Sequence, residues 1–228
     1  MRDRPWTPPD RHWPERPEVV AGRDQLSGGS WLGINDHGVV AAILNRRGSL
    51  GPLPGKRSRG ELVLDALDNA DASAAVEQLI HLDPTAYRSF NLLIADNRDA
   101  FWLRSLGLRD SRVEAFPVPE GVSMLTARDL NDQESPRIVR HLEDFKLALP
   151  PAPDLDDWEA WQEILARPAR DDPTDAMTVT TERGFGTVCS SLIALPAIGL
   201  SRAGESEMPI WLFSPGPPGS FPYQPVES

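Results

Sequence analysis

Five basic residues, Arg46, Arg47, Lys56, Arg57 and Arg59, fall in one Gly/Pro-rich stretch of a chain that is otherwise acidic, with 23 Lys+Arg against 34 Asp+Glu and a net charge of −11. Such a concentration of cations can do one of two things. It can hold a carboxylate or phosphate near a strand end, or it can be a solvated loop whose charges pair with nearby Asp and Glu. It is not a phosphate-cradling P-loop, because the glycine spacing is wrong and Lys56 is followed by Arg57 where Ser or Thr would hold magnesium. The other reactive residue types point to structure. Cys189 sits in the apolar run Thr187 to Ile193 with no basic neighbour, which reads as an inert thiol. His12, His37, His81 and His141 have no metal-ligand spacing, and the last two are expected on helix surfaces. Asp96 and Asp99 flank Asn97-Arg98 and read as turn residues. Ser49 and Ser58 lack a nucleophile-elbow context.

The elements that must position these groups centre on Gly28 to Asn45. Trp31, Leu32 and Ile34, then the uncharged run Val39 to Leu44, flank Asn35-Asp36-His37-Gly38, which predicts a β-hairpin near the middle of a sheet. The uncharged second strand predicts cover on both sheet faces. Before it, the proline-rich segment 1–24 is expected to be an extended arm anchored by Trp6 and Trp13. After it, Ser58 and Glu61 form a capping-box pattern that starts a helix with Leu62, Ala66 and Ala70 on one face. A second helix is expected from about Asp71 to His81. Strands follow at 91–95, 100–104, 113–118 and 122–126. Two helices come next: one after Ser135-Pro136 with Ile138, Leu142, Phe145 and Leu149 inward, and one near Asp156 or Asp157 carrying Trp158, Trp161 and Leu165. They are expected to cover the opposite sheet face. The last strands are 187–194 and 209–213, ahead of a proline-rich tail, 215–228. Strands, helices, strands, helices, strands is an α+β order.

Several of these stretches carry a resemblance. Gly28-Gly29-Ser30-Trp31-Leu32-Gly33-Ile34-Asn35, Leu44-Asn45-Arg46, Ser58-Arg59-Gly60-Glu61-Leu62-Val63 and Phe90 to Asp96 occur in the order found in the NRDE family, which includes the transport-and-Golgi-organisation 2 proteins. That family is similar to the N-terminal-nucleophile hydrolases. The resemblance therefore implies a four-layer αββα sandwich over a single domain, 1–228. It also places a Met-Cys start, a first strand and an Asn-Arg-Asp-Glu motif ahead of a segment like Arg2 to Trp6. No Cys stands near Met1, so this chain is expected to lack the family's first strand and candidate nucleophile, and no catalytic residue is assigned. Asn45 becomes either a donor for an oxyanion, as in related amidases, or a strand-end cap. The family pattern has Asn near Ala127 and Arg near Val188, so part of its polar pocket is replaced here.

Composition bounds what remains. The acidic balance argues against general nucleic-acid binding. No apolar run approaches the ~20 residues of a membrane span, and Met1 to Arg4 does not open a signal peptide. One cysteine precludes an intramolecular disulfide and fits a cytoplasmic location. Two readings follow. The first is a ligand-handling protein with no resident cofactor, whose pocket is bordered by Trp31, Asn45, Arg46 and Arg59 and takes a small anionic apolar molecule; the resemblance points to haem or an acyl lipid. The alternative is an amidase acting on linear C–N bonds, its nucleophilic cysteine lying upstream of Met1.

Overall fold

The computed structural model describes residues 3–170, 172–181, 184–197 and 209–227. The predicted hairpin is β3 (Leu32–Asn35) and β4 (Val40–Asn45), paired antiparallel with Gly33 opposite Ala41. It stands at the centre of a seven-stranded sheet whose spatial order follows the chain: β1 (Trp6–Asp10), β2 (Val19–Asp24), β3, β4, β5 (Phe90–Ala95), β6 (Ala100–Ser105) and β7 (Glu114–Pro117). The turn is fixed by Asn35, whose Oδ1 accepts from the amides of His37 and Val39 at 3.0 and 2.9 Å, while Gly38 takes the positive φ that closes it.

The segment expected to be an extended arm is, over its described residues 3–24, no arm laid over the domain. It supplies β1 and β2, with Trp6 opposite Asp24 and Val20 opposite Ile34. Trp13 is buried in the connection and its indole donates to Gly28 O at 3.0 Å. Prolines did not stop pairing because Pro8 and Pro9 lie on an edge strand, where a missing N–H goes unnoticed.

Helices α1 (Gly60–Leu67) and α2 (Ala72–Leu79) cover one face of this sheet, packing Leu62, Ala66, Leu67, Ala75 and Leu79 against Val19, Ala21, Ala41, Leu92 and Leu103. The Ser58 capping box does not form. Arg59 is the N-cap without a side-chain bond, Ser58 Oγ accepts weakly from Gly60 N at 3.3 Å, and Ala70 is exposed beyond the helix end. Asp71 caps α2 through Ala74 N. Asp96 serves the β5–β6 turn and also accepts from Ala72 N at 2.8 Å, so it holds the start of α2 to the sheet.

The opposite face is met by a second sheet, not by helices. Its strands are β8 (Ser190–Ala194), β9 (Ile210–Ser214) and β10 (Gln224–Pro225), in the order β10, β9, β8. Trp211 of β9 packs on Val20, Ile34 and Val40. The proline-rich tail thus contributes β10, while β8 begins at Ser190, later than expected. Cover of β4 is partial, since Leu44 is only half-buried and Asn45 is exposed. Helices α3 (Pro136–Leu147) and α4 (Glu159–Leu165) pack with each other around Ile138, Leu142, Phe145 and Ile164, and Trp158 and Leu165 also meet Leu192 and Leu212 of the second sheet. Residues 122–126 are not a strand; Met124 is held in a loop by Asn131, which exchanges bonds with it at 2.7 and 2.9 Å. Leu149, expected in the core, is exposed past the end of α3. The result is a mixed α/β fold with a large antiparallel sheet and few helices. No described helix is long and apolar enough to cross a membrane.

The glycines of the central motif have a packing reason. A Cβ on Gly29 would stand 2.5 Å from the carbonyl carbon of Gly60, and Ser30 N donates to Gly60 O at 3.0 Å, so the entrance to β3 lies directly on the first turn of α1. Gly28, with φ of +75° and open space around it, needs only its conformation. Gly29→Ala is expected to cost about 2–3 kcal/mol and Gly28→Ala about 1 kcal/mol, measured by urea unfolding; equal costs would contradict the close approach.

Candidate functional site

The basic stretch leaves β4 and returns to α1, so its residues gather at one end of the large sheet, beside Ser89 and the start of β5. Ser49 is the node. Buried, it shares its hydroxyl proton between the carbonyls of Arg46 and Ser89, at 2.8 and 2.9 Å, and accepts from the Arg59 guanidinium at 2.8 Å. Arg59 donates to Ser89 O as well, at 3.0 Å. Its partners are therefore neutral, and among the described residues no carboxylate lies within ion-pair distance of it. Burial first, and the charge of Arg88 second, push its pKa down to about 10, so it stays cationic at neutral pH while desolvated and uncompensated.

The other basic residues are occupied or solvated. Arg46 turns to the other side of the sheet, donating to Asn91 Oδ1 and pairing with Asp129, each at 2.7 Å. Asp129 also receives Arg104, which in turn holds Glu114 at 2.8 Å, so two arginines are balanced by two carboxylates. Fully buried Asn91 completes this network, giving its amide protons to Thr126 O and Arg128 O and accepting from Trp102 at 3.2 Å. Arg57 pairs with Glu61, Arg88 binds the carbonyls of Gly48, Leu50 and Gly51, Lys56 reaches Thr85 O, and Arg47 is exposed.

Of the four sequence-predicted residues, the structure brings three to this end of the sheet. Asn45 ends β4 opposite Phe90, exposed; Arg46 meets Ser49 through its carbonyl; Arg59 meets Ser49 through its side chain. Trp31 is elsewhere. Its ring lies over Gly22, edge-on to Trp6 at 5.7 Å. Half-buried Cys189 is pushed up to about 11 by burial and is a thiol at neutral pH, not a thiolate nucleophile. Ser49, considered in the sequence only as a nucleophile, is the residue missed, and its signal is a lone small polar residue inside a basic loop.

A second feature was read in the sequence only as core. Between α3, α4 and β8 lies a cleft of about 300 Å³ whose walls include Met124, Phe145, Trp158, Trp161, Met177 and Leu192. None of the four predicted residues lines it.

This chain matches the family described as Transport and Golgi organisation 2 over residues 1–199, and it belongs to that family. It is 35% identical over 89 residues to a Transport and Golgi organization protein 2 homolog from Bos taurus, an alignment that covers 37% of this chain and 31% of that relative's length.

One histidine departs from expectation in a way that sets a pH dependence. His81 is exposed and His37 lies in its turn, but His141 is fully buried in α3, its Nε2 within 2.9 Å of Asp175 O and its Nδ1 without a hydrogen-bond partner among the described residues. Burial lowers its pKa below the usual 6.5, outweighing the Asp175 carbonyl, and Arg140 and Arg167 lower it further against Asp144. The folded chain therefore binds this proton less readily than the unfolded chain. Stability is full above about pH 6.5 and is lost as pH falls through the depressed folded value. His141→Gln should flatten the pH 7 to 5 stability profile measured by urea unfolding; an unchanged slope would exclude His141 as its source.

Proposed function

We propose that this chain, as a single family domain spanning 1–228, binds a small apolar ligand carrying an anionic group, of the haem or acyl-lipid class, with Arg59 as its charge partner. Arg59 carries this reading. A half-buried guanidinium held only by neutral acceptors has lost hydration without gaining a counter-charge, and an incoming carboxylate or phosphate would supply one in bidentate form. Ser49 and the carbonyl of Arg46 hold it in place, and exposed Asn45 and Arg47 stand at the same strand end to meet the ligand. Trp31, whose ring packs over Gly22 and edge-on to Trp6 away from this strand end, is left out of the proposal.

The fold supports the same assignment. Helices α1 and α2, the large sheet, the second sheet and α4 succeed one another through shared cores, which is the sequence of layers expected of an αββα sandwich related to N-terminal-nucleophile hydrolases. A cytoplasmic location, suggested by the lone cysteine, is part of this proposal. The amidase alternative gains nothing from Cys189, whose thiol is held protonated.

Titration of the purified chain with haem and with palmitoyl-CoA is the test. Saturable binding of at least one is expected, weakened about tenfold in Arg59→Gln by loss of one charge-assisted bond. The same substitution removes an uncompensated buried charge, so its unfolding midpoint should not fall. Absence of saturable binding, or equal binding by Arg59→Gln, would defeat the proposal.

A further inference from the structure

Three loops meet where the large sheet ends. Residues 46–59 leave β4 for α1, residues 83–89 lead into β5, and residues 106–113 join β6 to β7. Hydrogen bonds and close packing tie them together. Arg88 donates to the carbonyls of Gly48, Leu50 and Gly51, and Arg57 N donates to Ala86 O at 2.9 Å. Gly107 lies so close to the middle loop that a Cβ on it would stand 3.0 Å from Ser89 N. The three loops therefore present one continuous end surface.

Their sequences hold eight arginines and lysines against two carboxylates, Asp83 and Asp110, in a chain whose net charge is −11. Some of these cations are engaged inside, as Arg46 is with Asp129, but Arg47, Arg57, Arg109 and Arg112 are exposed. Of these four, only Arg57 has an ion-pair partner among the described residues. The same surface carries leucines that the core does not take up. Leu50, Leu53, Leu106 and Leu108 are between 42% and 59% exposed. A single exposed leucine is ordinary, but four of them among unpaired arginines at one end of an acidic chain require a partner that is both apolar and anionic.

We infer that this end of the sheet is a peripheral docking surface for an anionic lipid bilayer, with the leucines entering the acyl boundary and the arginines meeting headgroup phosphates. Shape favours a bilayer over an acidic protein. Gly48, Gly51 and Gly55 each have open space where a side chain would stand, so the leucines of this loop ride on a protruding tip with no groove beside it. A fluid bilayer moulds itself around such a tip, whereas a folded partner would need a matching hollow. Charge selects the orientation. Screening confines the attraction to the face nearest the headgroups, so the basic end is drawn in while the acidic remainder of the chain is turned away. Arg88 contributes by position, since its bonds to three carbonyls hold the Leu50 loop in its projecting form before any lipid arrives. This inference goes beyond the Arg59 ligand site and does not rest on it.

Co-sedimentation of the full chain with ligand-free vesicles is the test. Vesicles of phosphatidylcholine containing about one third phosphatidylglycerol should bind the chain at least about tenfold more tightly than phosphatidylcholine alone. Raising salt from about 0.1 M to about 1 M, which shortens the screening length from about 10 Å to about 3 Å, should release it. The double variants Leu50→Ser/Leu53→Ser and Arg109→Glu/Arg112→Glu should each weaken vesicle binding at least about tenfold, and both should keep the urea unfolding midpoint because the altered side chains are exposed. Leu147→Ser/Leu149→Ser removes two equally exposed leucines beyond α3 and should bind vesicles as the unaltered chain does. Equal binding to neutral and anionic vesicles, no binding to either, or full binding by the Leu50/Leu53 variant would each overturn the inference. Tighter binding to poly-glutamate than to the anionic vesicles, undiminished in the Leu50/Leu53 variant, would also overturn it and assign the surface to an acidic polypeptide.

Discussion

The carboxamide of Asn35 joins the two halves of the main core. Its oxygen closes the β3–β4 turn on the amides of His37 and Val39, and its nitrogen donates both protons to the carbonyls of Leu67 and Asn69, each at 2.8 Å, where α1 ends. All four hydrogen-bonding directions of one buried side chain are thus used. The relative placement of the hairpin and α1 rests on this residue at one end and on the Ser30 to Gly60 bond at the other. With both ends tied, α1 lies flat on Ala21 and Ala41, whose small side chains let it approach. Everything at the Arg59 end inherits its geometry from that placement, because Arg59 is the residue immediately before the helix.

Polar groups in this molecule fall into two kinds. Asn91, Arg46, Arg104, Asp129 and Glu114 form a network in which charges are matched and the buried amide is fully used. Arg59 is of the other kind, held only by neutral acceptors. The contrast within one chain is what separates scaffold from candidate site, since proximity and charge alone would have ranked Arg46 with Arg59.

Much of the fold was legible locally. The uncharged run of β4, the Asn-Asp-His-Gly turn, the β5–β6 hairpin around Asp96 and the Asp71 cap each follow from neighbours in sequence. What was not legible depends on distant chain. Segment 1–24 reads as unpaired because proline lacks a donor, yet the cost vanishes at a sheet edge, a position that only the assembled topology defines. Residues 122–126 have strand composition, but Asn131 claims the Met124 backbone first. His141 was expected on a helix surface but is buried on the face of Ile138, Leu142 and Phe145; the accepting carbonyl of Asp175 that makes burial tolerable is far away in sequence. The basic loop was visible as composition, whereas the pairing that leaves Arg59 with only neutral partners required Asp129, Glu61 and Ser49 to be located.

Open sheets invite their own kind. A seven-stranded meander has two outer strands whose free amides and carbonyls could template another copy, and this one ends on Trp6-Thr7-Pro8-Pro9-Asp10 at one side and Glu114-Ala115-Phe116-Pro117 at the other. Paired prolines strip donors from the first border, and the irregularity between Thr7 and Asp10 bends it out of register for any incoming strand. The second border is short and is closed by a proline. The residues that made the amino-terminal segment look like a stray arm therefore leave this border with few donors and a broken register for an incoming strand.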